Sequence, residues 1–111
     1  MQDIEVTLVY LRDNAARYAE AKAAYEYIKE FRKSKKAILK IEAEKSGITQ
    51  ATKQEDYAYS HPEYILLLDG LKVACEEEAK MRQMMETARQ RLEVWRTEQA
   101  NERMERKAYN A

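Results

Sequence analysis

From Asn14 to Lys45 the chain runs without a single glycine or proline. The stretch is rich in Ala, Glu, Lys and Arg, which lose little side-chain freedom in a helix. At about 1.5 Å per residue it predicts one helix roughly 48 Å long. A helix of that length restricts the chain to architectures in which long helices cover one another. The composition agrees, with 36% charged residues but only two Gly and one Pro in 111 residues, as in long-helix and coiled-coil proteins. No strand alternation or hairpin turn is present, so the expected fold is all-α, in one domain over residues 1–111.

The long helix has two distinct faces. Ala24, Tyr27, Ile28, Phe31, Ser34, Ile38 and Ile41 follow the 3, 4 spacing of a buried stripe, and this is the face expected to meet the rest of the chain. Opposite it stand Tyr18, Lys22, Tyr25, Lys29, Arg32, Lys33, Lys36 and Lys40, a basic face with tyrosines at its N-terminal end.

Ahead of this helix, residues 3–12 place Ile4, Leu8 and Leu11 on one side, while the β-branched Val6, Thr7 and Val9 weaken the helical pattern. A short helix, a break near Asp13-Asn14 with Asp13 as cap, and then the long helix at 14–46 is the expectation. A continuous helix from residue 3 is the alternative. Gly47 suits the left-handed position that ends a helix. Residues 49–60 read as a connector helix, with Thr52-Lys53-Gln54-Glu55 as a capping box. Ser60-His61-Pro62-Glu63 is a second capping signal, with Ser60 as cap, and opens a helix over 61–107. In that helix Tyr64, Leu67, Leu68, Leu71, Ala74 and Cys75 form an apolar stripe. After Glu76-Glu77-Glu78 it is continued by Met81, Met85, Ala88, Leu92 and Trp95. Gly70, inside the helix, suggests close helix approach.

Two long helices joined by a short connector predict an antiparallel hairpin. A two-helix hairpin buries little, so assembly into a homo-oligomer of more than two subunits is expected. Leu71, Met81, Met85, Leu92 and Trp95 are the candidate interface.

Several function classes are disfavoured. His61 is the only histidine and Cys75 the only cysteine, so a zinc site lacks ligands and an internal disulfide is impossible. With a single histidine a catalytic triad is disfavoured, and no phosphate-binding glycine loop is present. The expectation is a non-enzyme without a metal or cofactor. No apolar run of membrane-spanning length occurs, and no basic leader opens the chain, which points to a cytoplasmic protein.

The formal net charge of zero hides a strong segregation. Residues 29–53 carry 8 basic and 3 acidic groups, whereas residues 54–80 carry 2 and 7. Lys29, Arg32, Lys33, Lys36 and Lys40 span about 16 Å of one face. Such a row can follow the phosphates of a nucleic acid, with Tyr25 stacking on an unpaired base. The competing reading is a solvated face whose charges pair with the acidic segment Glu55 to Glu78. Trp95, near Arg89, Arg91, Arg96 and Arg103, reads as a packing residue before a base platform.

The order Lys35-Lys36-Ala37-Ile38-Leu39-Lys40-Ile41-Glu42-Ala43-Glu44-Lys45 resembles a stretch of UvsY, the recombination mediator family of tailed phages. A connector bearing Lys53, Tyr57 and Tyr59, and a long apolar helix with Leu67, Leu71, Leu92 and Trp95, extend the resemblance over roughly residues 30–100. The resemblance implies a small helical protein in a ring-like homo-oligomer. It would bind single-stranded DNA and help load a RecA-type recombinase onto strands held by single-strand-binding protein. The family's basic pair in the connector is only partly present. Lys53 stands for one member, with Gln50 and Thr52 at neighbouring positions. The implied DNA track therefore centres on Lys29 to Lys40 and is completed by Lys45 and Lys53. The rival function is a non-catalytic helical interaction protein: a coiled-coil adaptor, an assembly scaffold or a phage-encoded inhibitor.

Overall fold

The computed structural model describes residues 4–110, and these form three α-helices: α1 (Ile4–Lys45), α2 (Ala51–Ser60) and α3 (Pro62–Asn110). Among the described residues there is no strand. Asp3, where the sequence placed the start of a short helix, lies outside them. The expected break at Asp13-Asn14 does not occur. Asp13 takes an ion pair from Arg12 at 3.0 Å instead of capping, and the Asn14 amide donates to the Tyr10 carbonyl at 2.9 Å. A side chain that satisfies itself on its own helix no longer competes with the backbone ladder, so α1 is continuous.

The chain has two compact units: Met1–Ala19 with Lys80–Ala111, and Glu20–Ala79. In the first unit, Thr7, Met85 and Ala88 are buried, with Tyr10, Leu11, Asn14, Tyr18, Met81, Leu92 and Trp95 half-buried. Val6, Thr7 and Tyr10 face Gln83, Met84, Thr87, Ala88 and Arg91 across a groove.

The second unit has its core where three helices meet. Leu39 of α1, Ala58 of α2 and Tyr64 of α3 form one buried cluster, and Tyr59 meets the Tyr64 ring edge-on at 5.4 Å. Helix α1 ends in a Schellman arrangement. The Ile48 N–H bonds the Ala43 carbonyl, the Gly47 N–H bonds the Glu44 carbonyl, and Gly47 sits at φ +94°. The caps that follow differ from the sequence reading. Helix α2 starts at Ala51, one residue before Thr52, and its N-cap, Gln50, makes no side-chain cap bond. Gln54 donates to the Ile48 carbonyl at 2.8 Å, closing the connector from inside. Ser60 does not cap α3, because its hydroxyl donates back to the Asp56 carbonyl at 2.6 Å. His61 caps instead: its Nδ1 accepts the Glu63 backbone N–H at 3.1 Å.

The largest correction concerns the faces of α1. In the second unit Ala21, Tyr25, Ile28, Arg32, Lys35, Lys36, Leu39, Lys40 and Ala43 are half-buried or buried. Tyr25, Arg32, Lys36 and Lys40 of the basic face thus turn inward, while its Lys22, Lys29 and Lys33 stay exposed. Of the stripe expected inside, Ala24, Tyr27, Phe31, Ser34, Ile38 and Ile41 are all exposed, and only Ile28 is half-buried. The aliphatic stems of Lys and Arg can cover apolar surface while their heads reach water. Basic residues thus line a helix–helix seam without a buried unpaired charge. On α3 the inner stripe is closer to expectation, with Tyr64 buried and Leu67, Leu71 and Ala74 half-buried. Leu68 and Cys75, expected in that stripe, are exposed, and Glu78, read as an interruption, is buried within it.

Candidate functional site

Contacts within the second unit run in opposite order along α1 and α3. Lys35 Nζ meets Glu63 Oε2 at 2.6 Å, while Tyr25, Lys29 and Arg32 share a groove with Leu68, Leu71, Lys72 and Cys75. That order comes from the tight Gly47 turn and the short α2, which seat the start of α3 against the last turns of α1. The predicted basic row is thereby split into two parts with different surroundings.

The C-terminal part is occupied by the protein itself. Lys36 and Lys40 both reach Glu55 Oε1, at 3.5 and 4.0 Å, and Lys36 Nζ lies 4.6 Å from the centroid of the Tyr59 ring. The Tyr59 hydroxyl, and after it the Glu55 carboxylate, hold the Lys36 ammonium above its ordinary pKa against the opposing effect of burial. Glu42 accepts the Tyr57 hydroxyl at 3.1 Å, which raises the phenol above its usual value. Lys35 pulls the Glu63 carboxyl below its usual range, chiefly by the hydrogen bond it donates. Lys33 pairs with Glu30 on its own helix at 3.3 Å. Leu39 and Ala43 are fully buried. The stretch Lys35 to Lys45, which carries the family resemblance, therefore forms the seat on which α2 and the start of α3 are built. Lys45 and Lys53 are exposed, on α1 and α2 respectively.

The N-terminal part is different. Lys29 Nζ lies 5.7 Å from the centroid of the Tyr25 ring, within reach of a cation–π contact. Arg32 is half-buried, and Lys72 approaches from α3. Among the described residues no carboxylate lies within ion-pair distance of Lys29, Arg32 or Lys72. The groove thus joins three uncompensated cations to a half-buried aromatic ring and an apolar floor of Leu68 and Leu71. This is the chemistry of an anion site with a stacking platform. Lys72 was missed by sequence reasoning. Its signal was available: it is one of only two basic residues in the acidic segment 54–80, and it adjoins the inner-stripe residue Leu71.

Of the residues expected to form an oligomer interface, Met85 is 3% exposed, and Leu71, Met81, Leu92 and Trp95 are half-buried. In the first unit Trp95 lines a shallow cleft with Arg96, Gln99, Arg103 and Arg106, where Arg96 is held by Glu93 at 2.7 Å. Among the described residues no group of three or more His, Cys, Asp or Glu side chains could hold a metal ion, and no helix is long and apolar enough to cross a membrane.

No protein-family model matches the chain, and neither curated proteins nor solved structures yield a match.

Proposed function

We propose that this protein is a non-catalytic helical accessory factor that binds single-stranded DNA through the Tyr25–Lys29–Arg32–Lys72 groove. The observation that carries the reading is the gathering of Lys29, Arg32 and Lys72 in one groove with the Tyr25 ring, with no carboxylate in ion-pair distance of them among the described residues. Lys29 and Lys72 are exposed and Arg32 is half-buried, so their like charges repel across the groove and attract an anion placed among them. A phosphate backbone supplies that anion, and an unstacked base suits Tyr25. The resemblance of Lys35 to Lys45 to the UvsY family supports the more specific role of a recombination mediator. In that role an antiparallel helical hairpin assembles into a homo-oligomer of more than two subunits. It then aids loading of a RecA-type recombinase onto strands covered by single-strand-binding protein, in the cytoplasm of a phage host.

The test is binding of labelled oligo-dT, followed by anisotropy across a salt series. Each phosphate contact on a single strand contributes about −0.7 to the slope of log K against log salt. Replacing Arg32 and Lys72 together by Ala should weaken binding and flatten the slope by about 1.4. Replacing Lys36 and Lys40, whose charges are already engaged by Glu55, should leave the slope within about 0.3. Wild-type protein that does not bind near 50 mM salt, a regime in which phosphate contacts are strong, sinks the nucleic-acid reading. The helical interaction protein then takes its place, a second reading favoured by the exposed apolar stripe of α1.

A further inference from the structure

Helix α1 carries a second seam that the chain itself leaves uncovered. Glu20, Ala24, Tyr27, Phe31, Ser34, Ile38, Ile41 and Lys45 follow one another at alternating steps of 4 and 3, all within the second unit and all exposed. Tyr27 is 69% exposed, Phe31 37%, Ile38 52% and Ile41 53%, and the Tyr27 and Phe31 rings lie nearly parallel with centroids 6.0 Å apart. A continuous 3, 4 repeat of this length is the pattern of a coiled-coil seam. An ordered apolar strip of several large side chains on a small protein marks a contact surface.

We propose that this stripe pairs with the same stripe of a second copy of the chain, antiparallel, about a two-fold axis near its middle. The proposal deepens the self-association put forward above and rests on it, but it does not depend on DNA binding. Two features select the occupant and its direction. The first is charge. The seam opens on Glu20 and closes on Lys45, and among the described residues neither has an ion-pair partner. In an antiparallel pair Glu20 faces Lys45 of the second copy at both ends. A parallel pair sets Glu20 against Glu20 and Lys45 against Lys45, which is repulsive at both ends. The second feature is size. Antiparallel pairing puts Ala24 opposite Ile41, Tyr27 opposite Ile38 and Phe31 opposite Ser34, so small residues meet large ones or sizes balance. Parallel pairing stacks Phe31 on Phe31 and Ser34 on Ser34, overfilling one layer and emptying the next. The flanking Ala23 and Ala37 add no charge and let the backbones approach. A self-complementary patch of this kind forms an isologous contact, in which both copies use the same residues.

The experiment uses the full chain. Light scattering at roughly 20 μM, where micromolar contacts are largely formed, should give a multiple of the monomer mass. Ile38→Glu should weaken the contact at least about tenfold while circular dichroism stays unchanged, since Ile38 lies outside the fold's own core. Glu20→Lys should weaken it too, and adding Lys45→Glu should restore it. In a Cys75→Ser background, oxidising a mixture of Glu20→Cys and Lys45→Cys proteins should give the mixed disulfide in preference to either like pair. A monomeric wild type overturns both this contact and self-association. An oligomer whose mass ignores Ile38→Glu but falls with Leu66→Glu or Val73→Glu on α3 overturns this contact alone. Predominance of the like disulfides overturns the antiparallel direction.

Discussion

Leu39→Ala should be the most damaging single truncation in the second unit. Leu39 is 0% exposed and touches the buried cluster shared with Ala58 and Tyr64, so one side chain joins α1 to both α2 and α3. The substitution removes three carbons, which at about 0.8 kcal/mol per buried methylene gives a transfer loss of about 2.4 kcal/mol. A cavity contribution adds to this. It should be small, because α2 is only 10 residues long and can settle partway into the gap. The expected total is about 3 kcal/mol, within the range of about 2–5 kcal/mol seen for buried Leu→Ala changes. For a unit of this size that lowers Tm by roughly 12–24 °C. Urea and thermal unfolding by circular dichroism, at one fixed protein concentration because association adds to apparent stability, measure it directly. Leu66→Ala, at a residue 71% exposed, is the control and should stay within about 0.5 kcal/mol. A loss below about 1 kcal/mol for Leu39→Ala, or an equal loss for both variants, would refute the placement of the core.

Two other outcomes follow from the second unit. Lys35 lowers the Glu63 pKa beneath its ordinary 4.5, so the stability due to Glu63 is fully present above that pH and is lost as pH falls through the lowered folded value; Glu63→Gln should flatten the acid limb of a stability-versus-pH curve measured between about pH 5 and 2, and an unchanged acid limb would show that the pair is not maintained in solution. Gly47→Ala meets no atom within 4 Å but must hold φ +94°, so it should lower stability by about 1 kcal/mol in urea unfolding, whereas a neutral result would mean that α1 ends differently.

Much of the helical skeleton was legible locally. An unbroken run from Asn14 to Lys45 can satisfy its backbone only along itself, and Gly47 alone offers the left-handed residue that ends it. Most of the inner stripe of α3, from Tyr64 through Leu71 to Met85 and Trp95, was visible from its 3, 4 spacing, although Leu68 and Cys75 were drawn into it and Glu78 was left out. The break at Asp13-Asn14 was misread because a cap and an interior residue use the same side chains, and only the bond actually made tells them apart. The same ambiguity hid His61, whose ring reaches the N–H that Ser60 was expected to take.

The sequence by itself determined that the chain is helical and where α1 stops, because those outcomes depend on backbone bonds between residues a few positions apart. It could not choose between the two 3, 4 stripes of α1, since Tyr27, Phe31, Ile38 and Ile41 repeat with the same period as Tyr25, Ile28, Arg32 and Leu39. Only the tertiary structure decided which stripe faces inward. It did so through residues distant in sequence: Glu55 reaching Lys36 and Lys40, Glu63 reaching Lys35, and Ala58 and Tyr64 closing over Leu39. That choice engages Lys36 and Lys40 in ion pairs with Glu55, leaves Lys29, Arg32 and Lys72 with no carboxylate in ion-pair distance among the described residues, and exposes the apolar stripe. A helix's own periodicity sets which residues share a face, but burial belongs to whichever face finds partners that fill its gaps and neutralise its charges.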